Sequence, residues 1–413
     1  MAEEAETPDD LLATLLASKP HRQTTNGRHR LPLYEIVRAL AEDIGWRPAG
    51  SRAEADAAGY LVQLWQRADV WFWQDTFPTA TALRPVVRVL CVLSLVTVLS
   101  IYVSLWLALV SALACTLIAY QALMRDVMPG QRARATSQNV LAIRKSLRRT
   151  LRRVVVCAPL DVYAAPVRHG QPRTHLLVST IQITLIVLSL IDPLPALFGP
   201  SAMTFPVAWL AVLCVWYFLV MVVIDAHARR PVRSAGAISH AGALAVLAGS
   251  FDEIGDLRHT EVWAVALGAS SLDSGAIDLL QRYPFDPETT FFIGLAGIGR
   301  GPLAYGLYHA YDRGRPVDAL LIEMAHQLHA DTAIEPRVTR QPALIRPFLR
   351  RQYRAIEISC LDAEGLVPLQ GSPHDTVAAV NPHILHRAMH VVVTMVRSID
   401  TLSLSPTQLH SKE

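Results

Sequence analysis

Charge is scarce in this 413-residue chain: Asp, Glu, Lys and Arg make up 18% of it, against 52% hydrophobic residues, with a mean hydropathy of +0.29. A disordered chain needs the opposite balance and is excluded. Neither sign dominates, with 38 basic against 35 acidic side chains, so recognition of nucleic acid through net charge is excluded as well. Cysteine is also sparse. Cys91, Cys115 and Cys214 lie in long apolar runs, and Cys157 and Cys360 in short strand-like ones. That spacing offers neither a disulfide framework nor a zinc finger. The segment Met1–Asp10 is acidic and has no apolar core, so no signal peptide is expected.

Charge is missing from one long block and from both apolar runs of a second. Val89–Met124 is 36 residues long without a charge, a glycine or a proline. As one helix it would measure about 54 Å, against a hydrocarbon core of roughly 30 Å. It is long for one span and short for two. The second block, Leu176–Ile224, has apolar runs at Leu176–Ile191 and Phe205–Ile224. Asp192-Pro193-Leu194-Pro195 and Gly199-Pro200 break it into a helical hairpin. No ionisable residue lies deep in either block. Gln182, Thr180 and Thr184 therefore read as hydrogen-bonding contacts between helices rather than as a transport relay.

The segment Arg125–Arg173 carries eleven Lys and Arg against Asp126 and Asp161, and the turn near Asp192 has no basic residue. The positive-inside rule predicts a multi-pass protein of the cell membrane, with the basic segment, the soluble part and both termini in the cytoplasm. Within that segment, Arg144–Arg153 reads either as a solvated hairpin or as a contact for anionic lipid.

The remaining sequence has the pattern of a soluble α/β domain with a mixed sheet. Residues 32–68 read as two helices, the second with Ser51 and Glu54 at capping-box spacing. Val70–Phe77 alternates as a strand does. Val140–Ile143, Val154–Ala158, Val262–Leu267, Thr290–Leu295 and Ala355–Cys360 predict buried strands. Helical periods occupy Ala241–Gly249, Ala276–Arg282, Val317–His329 and Ile384–Ile399. Ser270-Ser271-Leu272-Asp273 shows no base in sequence reach that would make a serine nucleophile. Gly297-Ile298-Gly299-Arg300-Gly301 lacks the full dinucleotide fingerprint and predicts a turn.

Five blocks, in order, resemble the family-28 metallopeptidases, the two-zinc aminopeptidase type. They are Gly45–Ser51, Asn139–Ala142 with Val154–Ala158, Glu261–Ala269, Gly294–Gly299, and Pro373–Thr376 with Asn381-Pro382. The resemblance implies a three-layer α/β fold with a mixed sheet, interrupted by two transmembrane helical hairpins. Its segments are a tail at 1–30, peptidase-like sequence at 31–84, a first hairpin at 85–124, peptidase-like sequence at 125–173, a second hairpin at 174–225, the remainder at 226–403 and a tail at 404–413. Flanking pieces that share one sheet require each insertion to leave and return on one side. Val89–Met124 is accordingly expected to turn near Ser100–Ser104.

The family's chemistry needs zinc ligands and a glutamate base. Carried over residue by residue, the ligand positions fall on Pro159, Ile238, Ser271, Ala296 and Gly371, and the base on Ser270. None of these supplies an imidazole or a carboxylate. Asp161 and Asp375, which support the ligands in the family, are retained. The resemblance with these departures implies a pseudopeptidase without cofactor that binds a peptide or protein ligand or acts as a scaffold. One alternative is an active zinc aminopeptidase with displaced ligands, for which His240 and His374 are the adjacent imidazoles. Another is a transporter-associated protein. Nucleic acid is not an expected partner.

Overall fold

The computed structural model describes residues 32–66, 70–79, 92–93, 96–97, 105–124, 135–162, 234–309, 317–341 and 343–402. The chain divides into two units. One comprises Met1–Thr79, Ala133–Ala164 and Val232–Glu413, and the other Ala80–Arg132 and Ala165–Pro231.

In the first unit, eight strands form one mixed sheet: β1 (Trp71–Thr79), β2 (Ala135–Arg144), β3 (Arg152–Pro159), β4 (Thr260–Leu267), β5 (Thr290–Leu295), β6 (Leu303–His309), β7 (Glu335–Thr339) and β8 (Arg354–Cys360). Their order is β1-β2-β4-β3-β5-β8-β6-β7. The central strands β4, β3, β5 and β8 run parallel. β2 is antiparallel to β4, and β1 to β2, with Thr79 opposite Ala135. β3, β4 and β5 are buried along their whole length, as strands covered on both faces should be. β1 lies at one edge, and its alternating exposure and Pro78 suit that place.

Helices cover both faces. On one side lie α1 (Leu33–Arg38, continued by a π-helical turn to Ile44), α2 (Arg52–Gln66), the later α4 (Gly242–Ile254), α6 (Ala319–Gln327), α7 (His329–Thr332) and α9 (Pro382–Thr401). α3 (Leu105–Met124) belongs to the second unit. On the opposite face, α5 (Ser274–Arg282) and α8 (Arg346–Arg350) enclose a smaller, aromatic core. There Trp73, Trp263, Tyr283, Phe285, Phe292 and Phe348 meet edge to face or stacked. Two faces covered by helices make the predicted three layers.

β6, β7 and the short α8 are absent from the sequence reading. β7 is brief, carries Pro336 and two charges, and lies at the far edge, so it has no buried periodicity to detect.

In the second unit, α3 has 20 residues without a charge. Ser111 on it donates to the Thr97 hydroxyl at 3.0 Å, and the turn expected near Ser100–Ser104 lies outside the described residues. Trp106, Val110, Leu113 and Leu117 share one exposed face of this helix. Among the fully described residues, no helix is long and apolar enough to cross a membrane. The expected spans at Leu176–Ile191 and Phe205–Ile224, with Gln182, Thr180 and Thr184, lie outside the described residues.

Candidate ligand site at the carboxyl edge of the sheet

The four central parallel strands, β4, β3, β5 and β8, end at one edge, and the sequence-predicted positions lie on the segments there. Pro159 is the last residue of β3, paired with Leu267 at the end of β4. Ser270 and Ser271 begin a short 3-10 turn just beyond β4, and Ala296 follows β5. Ile238 lies in a π-helical turn, Ala237–Ala241, that leads into α4. Gly371, with φ +69°, belongs to the loop after β8. Pro159 and Ile238 are buried, whereas Ser270, Ser271, Ala296 and Gly371 are half-buried.

The Ser270–Leu272 turn is held under local strain. Ala269 and Asp273, which flank it, have φ +44° and +58°, conformations that L residues rarely take. Asn139 on β2 staples it by accepting from Gly268 N at 3.1 Å and donating to Gly275 O at 2.9 Å. Arg346 on α8 pairs with Asp273.

Asp161 is almost wholly buried and accepts the amide of Ser270 at 2.7 Å. Burial raises its pKa, against that hydrogen bond. Asp375 is also buried. It accepts from Ile238 N at 2.6 Å, Ser239 Oγ at 2.6 Å and Ser234 Oγ at 3.2 Å. Its pKa is raised by burial and lowered by these donors. The Ser239 hydroxyl has one proton and gives it to Asp375, so its 2.6 Å contact with His240 Nδ1 assigns the ring proton to Nδ1. Burial, then the Arg47 guanidinium, pushes His240 down to about 3, and the ring is neutral at pH 7. His374 is exposed.

Two residues of this cluster were invisible as site residues in the sequence. Arg47 is fully buried in the Gly45–Ser51 block. It donates to Leu40 O, Gly45 O and Leu160 O, and feels the charges of Asp161, Asp375 and Glu54. Glu54 does follow the Ser51 cap, whose Oγ accepts Glu54 N at 3.2 Å. Its own carboxyl, however, turns inward and accepts from Gly50 N, Ser137 Oγ and Ala269 N. Burial and the nearby Asp161 push it up to about 7. Nothing in an Arg-Pro turn or a capping box distinguishes these buried roles from exposed ones.

The donor set does not fit a zinc pair. Pro, Ile, Ala and Gly side chains offer no ligand atom, and serine is a poor one. Asp375 is committed to backbone and hydroxyl partners, while Asp161 accepts Ser270 N through one oxygen and His240 meets Ser239 Oγ through Nδ1. Among the described residues, no group of three His, Cys, Asp or Glu side chains is arranged to hold a metal ion.

No family model matches the sequence, and no curated protein is similar to it. Solved structures do match. A zinc aminopeptidase from Bacillus subtilis superimposes with TM-score 0.54 at 11% identity, over 91% of this chain and 96% of that one. An aminopeptidase from Aneurinibacillus sp. strain AM-1 gives 0.53 at 12%, over 88% and 92%. A Porphyromonas gingivalis glutaminyl cyclase gives 0.52 at 10%, over 89% and 97%. The α/β unit therefore has the fold shared by zinc aminopeptidases and glutaminyl cyclases. Because that fold carries two different chemistries in these proteins, function must be argued from the site.

Proposed function

We propose that this chain is a multi-pass membrane protein whose aminopeptidase-like domain has lost its metals and binds a peptide or protein ligand instead of cleaving it. The observation that carries this reading is the occupancy of the carboxyl edge. Pro159, Ile238, Ser270, Ser271, Ala296 and Gly371 stand where the resemblance puts ligands and base. The retained Asp161 and Asp375 hold neighbouring loops together. Clustered carboxylates without a metal would repel one another in a buried site, and small or apolar replacements remove that cost. The half-buried Ser270, Ser271, Ala296 and Gly371 leave a rim of small residues, open to a ligand's main chain.

Membrane attachment is supported by the uncharged runs Val89–Met124, Leu176–Ile191 and Phe205–Ile224 and by the exposed apolar stripe of α3. Water would leave that stripe costly, whereas lipid solvates it. The basic segment Arg125–Arg173 supports a cytoplasmic α/β unit.

The test uses the full chain purified in detergent. Elemental analysis should find no stoichiometric zinc, and aminopeptidase assays with zinc, cobalt or manganese should stay at background. Metal-dependent turnover abolished by His240→Ala or His374→Ala would replace this reading with that of an active enzyme.

A further inference from the structure

The loop between β2 and β3, residues Lys145–Leu151, is a built surface rather than a slack connection. Leu147 N donates to Leu257 O at 2.8 Å, Arg148 N to Arg258 O at 3.0 Å and Leu151 N to His259 O at 2.9 Å. Ser146 Oγ bonds Arg148 O at 2.7 Å and Thr150 Oγ1 at 2.9 Å, bracing the turn from inside. The facing segment is fixed in turn by Asp400, which accepts the amides of Arg258 and His259 at 3.0 and 2.8 Å.

This rigid tip presents Leu147, 68% exposed, among exposed Lys145, Arg148, Arg149 and Arg258. In the α/β unit the only other large apolar side chain so exposed among the described residues is Leu366, at 39%. Among those residues none of the four cations pairs with a carboxylate. Asp256 is taken by Arg144 at 3.5 Å, and Asp400 by backbone amides. Lys145 lies over the Trp71 ring, 5.4 Å from its centroid.

We infer that this tip docks an acidic polypeptide segment that carries an apolar side chain. The four unneutralised cations call for an anion, and the central leucine calls for an apolar contact that a phosphate backbone does not supply. Position argues against lipid. Thr79 and Ala135, where the first insertion leaves and returns, are paired at the carboxyl edge. Val162 and Ser234, which bracket the second, meet at that edge too: Val162 follows β3, and Ser234 bonds Asp375. The tip lies at the opposite edge, separated by the length of β3, about 26 Å. If the insertions enter a bilayer, as proposed above, the chain enters it from the edge opposite the tip. The choice of partner over lipid rests on that reading, and the vesicle measurement below tests it separately from metal content or turnover.

The probe is a fluorescein-labelled glutamate-rich peptide with a central leucine, titrated by anisotropy against the full chain in neutral detergent. Saturable binding is expected, weakening as salt rises from 50 to 200 mM because the exposed cations are screened. Arg148→Ala with Arg149→Ala should weaken it about tenfold or more, and Leu147→Ser about threefold. Both changes are at exposed side chains and should leave the circular dichroism spectrum unaltered. Absence of saturable binding, or equal binding by the variants, overturns the proposal. Competition by phosphatidylserine vesicles, or by an oligonucleotide whose binding ignores Leu147→Ser, overturns it in favour of lipid or nucleic acid.

Discussion

Glu357 shows how much a single buried carboxyl can do far from the site. It lies on β8, accepts Leu344 N at 2.6 Å through one oxygen, and has no hydrogen-bond partner on the other. Burial pushes its pKa up from 4.5 to about 7. A carboxyl raised in this way stabilises the fold while protonated. The contribution is complete below about 4.5 and is lost as pH climbs through about 7. Glu357→Gln retains an acceptor for Leu344 N and cannot ionise. In denaturant titrations at pH 5 and pH 8, the variant should therefore lose less stability than the wild type, by up to about 3 kcal/mol. An unchanged pH slope would show that this carboxyl is ionised throughout. Arg47 calls for the opposite kind of test. It is surrounded by Asp161, Asp375 and Glu54, so Arg47→Met leaves three carboxyls without their cation. The expected cost is about 3–5 kcal/mol. A variant that melts at the wild-type temperature would show that the guanidinium does not balance them.

At the scale of elements, the site depends on close approach of backbone to backbone. α4 begins at Gly242, where an added Cβ would lie 1.8 Å from Ile298 O in the loop after β5. No side-chain rotation relieves a clash with a carbonyl. Gly242→Ala should thus displace the Ile238–Ala241 turn from the Gly297 loop and cost at least about 2 kcal/mol, read as a fall in melting temperature. Gly297 N, which donates to Ser239 O at 3.0 Å, should exchange its hydrogen faster in that variant. In the second unit, the relevant face is the stripe Trp106, Val110, Leu113 and Leu117 on α3. If lipid covers it, Leu113→Lys places a charge in hydrocarbon at a cost of about 2.5–3.5 kcal/mol, and the fraction inserted in a translocon reporter should fall. An unaffected fraction would place that face elsewhere.

For the whole molecule, the arrangement of insertions makes a topological prediction. The chain on either side of each insertion is held at the carboxyl edge of one sheet: Thr79 pairs with Ala135, and Val162 follows β3 while Ser234 bonds Asp375. Each inserted segment must then return to the side it left. Reporter fusions at Thr7, Ala165 and Gln408 should accordingly all report the cytoplasm. A periplasmic signal at Ala165 alone would make Val89–Met124 a single span. A chelator should leave the melting temperature of the wild type unchanged. A fall of many degrees would reveal a structural metal.

The sequence by itself determined the central strands, because β3, β4 and β5 are buried on both faces and their β-branched runs allow few other structures. It also determined the long amphipathic helix α9, whose period is unmistakable, and the order of the five blocks. The residue types at Pro159, Ile238, Ser270, Ser271, Ala296 and Gly371, and so the lack of strong metal donors among them, were legible as well. What the sequence could not yield was where charge is buried. Arg47 and Glu54 lie in turn and cap patterns that normally face water, and only the meeting of Leu160, Ser137 and Ala269 around them turns both inward. Edge strand β7 was hidden for a related reason, since partial burial imposes little pattern. The separation of the basic tip from the insertion-bearing edge was decided by tertiary structure alone. It depends on β2 and β3 running in opposite directions, each fixed by its pairing with β4, which leaves the tip at one end of both strands and Ala135 and Val162 at the other.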